Sequence, residues 1–302
     1  MISVLLALYN GEKYIYEQLD SIYKQSYPAD EVVIIDDVSK DKSIEIITEY
    51  LNKNKINNCR IIRNEINKGY AKNFYDGLKE CRGDYIFLAD QDDVWQKEKI
   101  KKTIEIFENN KDIKAVFSAI EFVNVRLEHI NKKFFQCDKK SRFLGIKDIL
   151  LHCSYMGCGM AIKKKSLSEY FWQIDKLIAH DWAIALDLGS NNGIYYLGEP
   201  LVKHRMHNEN TSIILDKKKS IVRRKDFEKM ILHYNWAEEY TSIIRWSDSN
   251  REYIEQLCDF YQIRLDSISN YVKRLNLIRF HKTYKDIYGS YKQLIGDILL
   301  IK

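Results

Sequence analysis

Three aspartates stand within four residues at Asp90-Gln91-Asp92-Asp93, directly after the apolar run Tyr85-Ile86-Phe87-Leu88-Ala89. Carboxylates this close repel one another unless a cation offsets them. Two of them separated by one residue suit a hard divalent ion, Mg²⁺ or Mn²⁺, which takes oxygen ligands and shares them with substrate phosphates. A surface turn, where Asp is common, is the plainer alternative. Asp36-Asp37 ends a second apolar run and reads equally as a site group or a helix cap. Asn67-Lys68-Gly69 offers a close backbone approach and a cation suited to phosphate, or simply a turn. His180-Asp181 opens a helical stretch, so its carboxylate is either a structural group favoured by the helix dipole or a general base. His204, Arg205 and His207 follow another extended run. A neutral imidazole there could ligate a metal and an arginine could hold a phosphate, although a lone histidine is more often structural.

These groups must be positioned by regular elements, and the first hundred residues supply them. Short β-rich runs at 2–8, 32–36, 59–63 and 85–89 alternate with stretches at 12–26, 41–54 and 70–81 whose apolar residues recur at helical spacing. Ser39, Asp41 and Lys42 mark a helix start for the second of these. Strand–helix alternation implies right-handed βαβ units and a mostly parallel central sheet with flanking helices, an α/β fold. Ligands of such sheets bind beyond the carboxyl ends of the strands. Tyr9-Asn10, Asp36-Asp37, Asn67-Lys68-Gly69 and Asp90–Asp93 all follow strand ends, so the spacing predicts one shared rim. Further on, helices are expected at 97–109, 145–152 and 180–189. Extended segments are expected at 113–122 and 194–202, with a loop at Phe134-Phe135 and a polar loop at 203–212.

From about residue 213 the strand signals stop. Helical patterns run over 219–245, 249–275 and 282–301, which places a boundary between domains at 1–212 and 213–302. The formal charge is +5, and residues 213–302 hold 17 basic against 12 acidic residues, which is the whole excess. That is too little and too unpatterned for a nucleic-acid binder. A modest basic, aromatic-rich helical surface suits an anionic membrane, intramolecular packing or a second copy of the chain. It includes Lys217-Lys218-Lys219, Arg223-Arg224-Lys225, Tyr271, Leu275, Ile278, Phe280, Tyr284, Tyr291 and Ile298. Only two prolines and 12 glycines argue against long linkers. The six cysteines lack a CxxC pair. His152, Cys153 and Cys158 have no second ligand pair, so reduced thiols of a cytosolic protein are expected. The opening apolar run is too short for a signal peptide or a spanning helix and is expected to be a buried strand.

Four stretches together resemble glycosyltransferase family 2. They are Val4-Leu5-Leu6-Ala7-Leu8-Tyr9-Asn10-Gly11 with Gln18-Leu19-Asp20-Ser21, Glu31-Val32-Val33-Ile34-Ile35-Asp36-Asp37, Asn67-Lys68-Gly69 with Asn73, and Asp84-Tyr85-Ile86-Phe87-Leu88-Ala89-Asp90-Gln91-Asp92-Asp93-Val94-Trp95. The likeness spans residues 1 to about 212. It is closest to the bacterial rhamnosyltransferase-like subgroup, through Ala89–Trp95, Gly157-Cys158-Gly159-Met160-Ala161, His180-Asp181-Trp182 and His204–Ser212.

The resemblance implies a GT-A fold and an inverting, Mn²⁺- or Mg²⁺-dependent hexosyltransferase-type enzyme. Its donor would be dTDP-rhamnose or a UDP-hexose, and its acceptor a hydroxyl of a growing bacterial surface glycan or lipid-linked oligosaccharide. The implied setting is the bacterial cytoplasm or the inner face of the membrane, with a membrane surface or a homo-oligomer as further partners. By motif, Ala7, Tyr9, Asp37, Lys68 and Gly69 fall to the nucleotide, Asp37 accepting from the pyrimidine N–H. Asp90, Gln91, Gly157 and Cys158 fall to the nucleotide-sugar, Asp92 and His207 to the metal, and Asp181 to the catalytic base. Asp93 is expected to be structural, facing the following helix. Many members carry Glu-Asp at the base motif; here the preceding residue is His180, which leaves Asp181 the single carboxylate there. A catalytically silent nucleotide-sugar-binding or scaffold subunit of a glycan-assembly complex is the competing expectation.

Overall fold

In the computed structural model the described residues are 1–131, 135–151, 156–174, 179–189, 193–207, 219–244, 246–268, 275–288 and 291–299. Phe134, His152, Cys153, Asn208 to Ser212, Lys217, Lys218 and Tyr271, named above, lie outside them. The chain divides into two compact units, Met1–Thr211 and Ser212–Lys302.

In the first unit β1 (Ile2–Leu8), β2 (Glu31–Asp36), β3 (Cys59–Arg63) and β4 (Tyr85–Asp90) alternate with α1 (Ile15–Tyr23), α2 (Ser43–Lys53) and α3 (Tyr70–Glu80). The strands lie parallel in the order β3-β2-β1-β4, as the alternation predicts. Their registers pair Leu8 with Asp36, Ala7 with Asp90, and Asp36 with Arg63, so the carboxyl ends finish level on one rim. Burial on both faces makes β1 and β2 nearly continuous apolar runs rather than alternating ones. Against them α1 turns Ile15, Leu19 and Ile22 inward, a spacing of four and three that keeps one helical face on the sheet. On α3, a side chain at Gly77 would stand 2.5 Å from Leu5, so the missing Cβ lets this helix lie close. That approach brings Asn73 to the carbonyl of Ile35 at 2.9 Å.

Beyond β4 the sheet is mixed. β8 (Met160–Lys163) runs antiparallel between β4 and β6 (Ala115–Val123), and β9 (Ile194–Arg205) runs parallel to β6. Two-residue strands β5 (Val94–Trp95) and β7 (Arg142–Phe143) pair antiparallel with β9. No strand pattern marks β5, β7 or β8, because two to four residues are too few to show a period. The polar loop expected from 203 is also corrected: β9 continues through Arg205, pairing His204 with Phe122 and Arg205 with Val123. Around this sheet stand α4 (Lys99–Asn109), α5 (Ile146–Leu151) and α6 (His180–Gly189).

The second unit holds α7 (Lys219–Ile243), α8 (Asp248–Ser267), α9 (His281–Tyr288) and α10 (Lys292–Leu299). The single helix expected over 282–301 is thus two shorter ones. At its centre Arg264 is 4% exposed and pairs with Asp297 at 2.8 Å. Its guanidinium lies 4.3 Å from the ring of Phe227 and 5.2 Å from that of Phe260, and Tyr284 also donates to Asp297 at 2.8 Å. Arg264→Met leaves Asp297 buried without its cation. Loss of one partner of a buried pair costs about 3–5 kcal/mol. Urea denaturation should register that loss in the transition of the helical unit. No helix among the described residues is long and apolar enough to cross a membrane.

Candidate active site

The level strand ends bring the four predicted segments together. After β1, Tyr9 is 47% exposed, and its main chain is held on both sides by one side chain. The Tyr9 N–H donates to Gln91 Oε1 at 2.7 Å, and Gln91 Nε2 donates back to the Tyr9 carbonyl at 2.9 Å. The amide of Gln91, expected at the nucleotide-sugar, thus joins the ends of β1 and β4 and keeps one N–H and one lone pair. Ala7, between β2 and β4, is partly exposed on the same edge. Asp37 is only 2% exposed, and its carboxylate accepts from Asn64 Nδ2, Lys68 N and Gly69 N, each at 2.8 Å. A carboxylate has about four lone-pair sites, so Asp37 keeps little capacity for a base and chiefly shapes the 64–69 loop. Lys68, expected at the nucleotide, pairs its ammonium with Asp76 at 2.9 Å. Gly69 has φ 79°, which favours glycine, and an added Cβ there would meet nothing within 4 Å. Open space stands over this backbone.

At the end of β4, Asp92 Oδ2 lies 2.7 Å from His207 Nε2. Two ligands at right angles on an ion with bonds of about 2.1 Å stand roughly 3 Å apart, so this oxygen–nitrogen pair fits a shared divalent cation. The ring of Tyr14 packs 4.9 Å from that of His207. Beside them the carboxyl of Asp90 is pushed well above the usual range, first by desolvation and then by repulsion from Asp93 and Asp92. Asp181 adds to that repulsion, which places the predicted base and the predicted donor acids in one electrostatic environment.

Asp181 stands in the first turn of α6. Its Oδ1 accepts from the N–H of Trp182 at 2.8 Å and its Oδ2 from the N–H of Gly157 at 3.2 Å. A side chain at Gly157 would stand 2.7 Å from His180 Nε2, so only glycine lets this turn approach the base. His180 is buried and stacks on Phe74 at 4.0 Å. The Gly157 N–H is thus directed at Asp181, the expected base. Cys158 is sealed from solvent, its thiol 3.9 Å from His204 Nδ1 and pushed well up by burial, so it cannot touch a donor.

Asp93 is internal, as expected, and its Oδ1 is bound to β9, accepting from His204 Nδ1 at 2.9 Å and from the Arg205 N–H at 3.1 Å, while Lys99 of the following helix is attracted to it. Arg205 is 1% exposed, so its guanidinium is not presented to a phosphate. Asp93, Cys158 and His204 form a group compact enough for a metal. The ammonium of Lys99, buried against the Cys158 carbonyl at 2.8 Å and attracted by Asp93 and Asp90, already supplies a cation there. His204 is likewise cationic rather than a neutral ligand: burial opposes its charge, but Asp93 with Asp92 and Asp90 raises it to about 9.

That shift has a sign for stability. A histidine whose folded value lies above the unfolded ~6.5 stabilises fully below ~6.5 and loses that contribution as pH rises through the folded value. Lys99, lowered to about 8 chiefly by burial, works the other way at higher pH. Denaturation midpoints should therefore fall from pH 6.5 to about 8, hold between about 8 and 9, and rise above that toward the unfolded lysine value of about 10.4. In His204→Gln the fall should vanish; an unchanged slope would remove the Asp93–His204 pair as its source.

Sequence reasoning passed over Tyr70 and Lys99. Tyr70 opens α3 directly after Gly69, and its phenol is raised by desolvation and then by Asp181 and Asp90, so it stands near both. Its place beside the glycine turn was the available signal. Lys99, at a helix start, reads as a solvated residue and carried none.

The family model described as glycosyl transferase family 2 matches residues 3–171. This chain belongs to glycosyl transferase family 2. Among curated relatives of this glycosyltransferase, the dTDP-rhamnosyl transferase RfbG of Shigella flexneri is 30% identical over 220 residues, 68% of this chain and 72% of RfbG. Among solved structures, S. aureus TarS 1–349 matches with a TM-score of 0.63 at 19% identity, covering 98% of this chain and 80% of that one. The mannosyltransferase PcManGT of Pyrobaculum calidifontis, in complex with GDP-Man and Mn²⁺, matches with a TM-score of 0.55 at 15% identity, covering 99% and 83%. These likenesses show the GT-A fold.

Proposed function

We propose that this glycosyltransferase is a metal-dependent, inverting enzyme that moves a sugar from a nucleotide diphospho-sugar to a hydroxyl of a bacterial surface glycan. What supports this reading is the Asp92–His207 contact at 2.7 Å, with Asp181 close enough to Asp90 to oppose its charge. Relatives support the donor class: RfbG is a dTDP-rhamnosyl transferase, and S. aureus TarS 1–349 has been crystallised with UDP-GlcNAc. The donor is accordingly dTDP-rhamnose or a UDP-hexose.

Asp92 and His207 would hold Mn²⁺ or Mg²⁺. When bound, such an ion neutralises the charge that develops on the departing nucleoside diphosphate. Ala7, Tyr9 and the open backbone at Gly69 receive the nucleotide, with Gln91 and Asp37 fixing their loops. Asp90 faces the donor sugar. The Asp181 carboxylate, held by two N–H donors, takes the acceptor hydroxyl proton as that oxygen attacks the anomeric carbon from the opposite face. One displacement inverts the centre without a covalent intermediate.

Residues 1–212 would form the catalytic domain, and the basic helices of 213–302 would hold it on the inner membrane face near a lipid-linked acceptor. Their exposed Leu275, Ile278 and Ile295 support that placement. Calorimetric titration of UDP and of dTDP with Mn²⁺, followed by donor turnover, tests the central reading. Binding without turnover on any donor–acceptor pair would favour a silent subunit.

A further inference from the structure

Arg205 is one of the largest fully buried side chains among the described residues, and the mechanism above leaves it without a task. A buried guanidinium is costly unless its donors are satisfied. Here Nε donates to the main-chain carbonyl of Asp92 at 2.9 Å, Nη1 donates to the carbonyl of Val125 at 2.7 Å, and Nη2 pairs with Glu17. The guanidinium also lies 4.7 Å from the ring centre of Tyr14, and that ring packs on His207. One planar fork therefore touches the backbone of Asp92 directly and the ring of His207 through a single aromatic side chain.

We infer that Arg205 is the positioning residue of the cation corner, setting how closely Asp92 and His207 meet and hence the affinity for a divalent ion. The inference rests on the reading that these two residues hold the cation. Mg²⁺ demands near-ideal ligand placement, and Asp92 and His207 both lie just beyond strand ends. A three-point anchor at one carbonyl, a second carbonyl and a carboxylate removes that freedom. Lysine cannot replace it, since an ammonium has neither the fork nor the flat face that stacks on Tyr14. Groups that orient metal ligands typically change metal affinity about 10–100-fold when lost.

The test measures Mn²⁺ binding to the whole chain by electron paramagnetic resonance, without donor, alongside UDP and dTDP binding in EDTA. Arg205→Lys should weaken Mn²⁺ about 10–100-fold and leave metal-free nucleotide affinity unchanged. Because Arg205 is buried, two variants at the accessible end accompany it. Glu17, 50% exposed on its side chain, is changed in Glu17→Gln, and the aromatic link is cut in Tyr14→Leu. Both are checked for a cooperative melting transition at the temperature of the binding measurement, and both should bind Mn²⁺ more weakly. Wild-type protein that binds no Mn²⁺ would overturn the cation reading itself. Wild-type binding with unchanged affinity in Tyr14→Leu, Glu17→Gln and any folded Arg205→Lys would overturn the role of Arg205 alone.

Discussion

Asp181→Asn is expected to lower kcat by about 10²- to 10⁴-fold, the usual contribution of a positioned general base. The amide keeps an oxygen for the Trp182 N–H and nearly the same volume, so the first turn of α6 should survive. What it removes is the proton acceptor. Donor affinity, measured by titration with UDP-sugar or dTDP-sugar, should change by only a few fold, because the segments proposed to receive the nucleotide lie on the β1, β2 and β3 ends. Steady-state transfer to a glycan acceptor reads the effect directly. Retention of transfer within about tenfold of wild type, less than a general base supplies, would mean that another group takes the proton.

The second large effect belongs to Asp92. Asp92→Asn removes the charge that pairs with His207 and should lower kcat/KM by about 10²- to 10³-fold, the scale on which charge-stabilising groups at a leaving site act. Unlike Asp181→Asn, it should also weaken nucleotide binding in the presence of Mn²⁺ while leaving binding in EDTA unaltered. Raising Mn²⁺ should restore part of the rate. Undiminished turnover of the wild-type enzyme in EDTA would sink the proposal that a cation stabilises the leaving group, whatever the variant does.

Much of this was legible in the linear order of residues. The βαβα alternation of β1 to β4 is legible because apolar period and turn chemistry are local properties, and the rim follows from them by the geometry of parallel sheets. Asp90 to Asp93 stood out because carboxylates packed so closely need an explanation within the segment itself. The segments that carry the resemblance to glycosyl transferase family 2 lie mostly on those same strand ends.

Tertiary structure divided the labour among those residues. Gln91 and Asp37 belong to the predicted segments, and each also binds neighbouring main chain, contacts set by loops from distant parts of the chain. Cys158 and Arg205 are chemically suited to a ligand, but burial removes both from contact with one. Lys99 shows the reverse: a lysine at a helix start predicts solvent, and the 157–159 turn and the ring of Trp95 meet its ammonium instead. Sequence by itself determined the fold's parallel half and which strand ends bear acids. Only the three-dimensional arrangement decided which acids face the site and which are internal props, because burial and hydrogen-bond partnership depend on residues a hundred positions away, as Asp93 and His204 are.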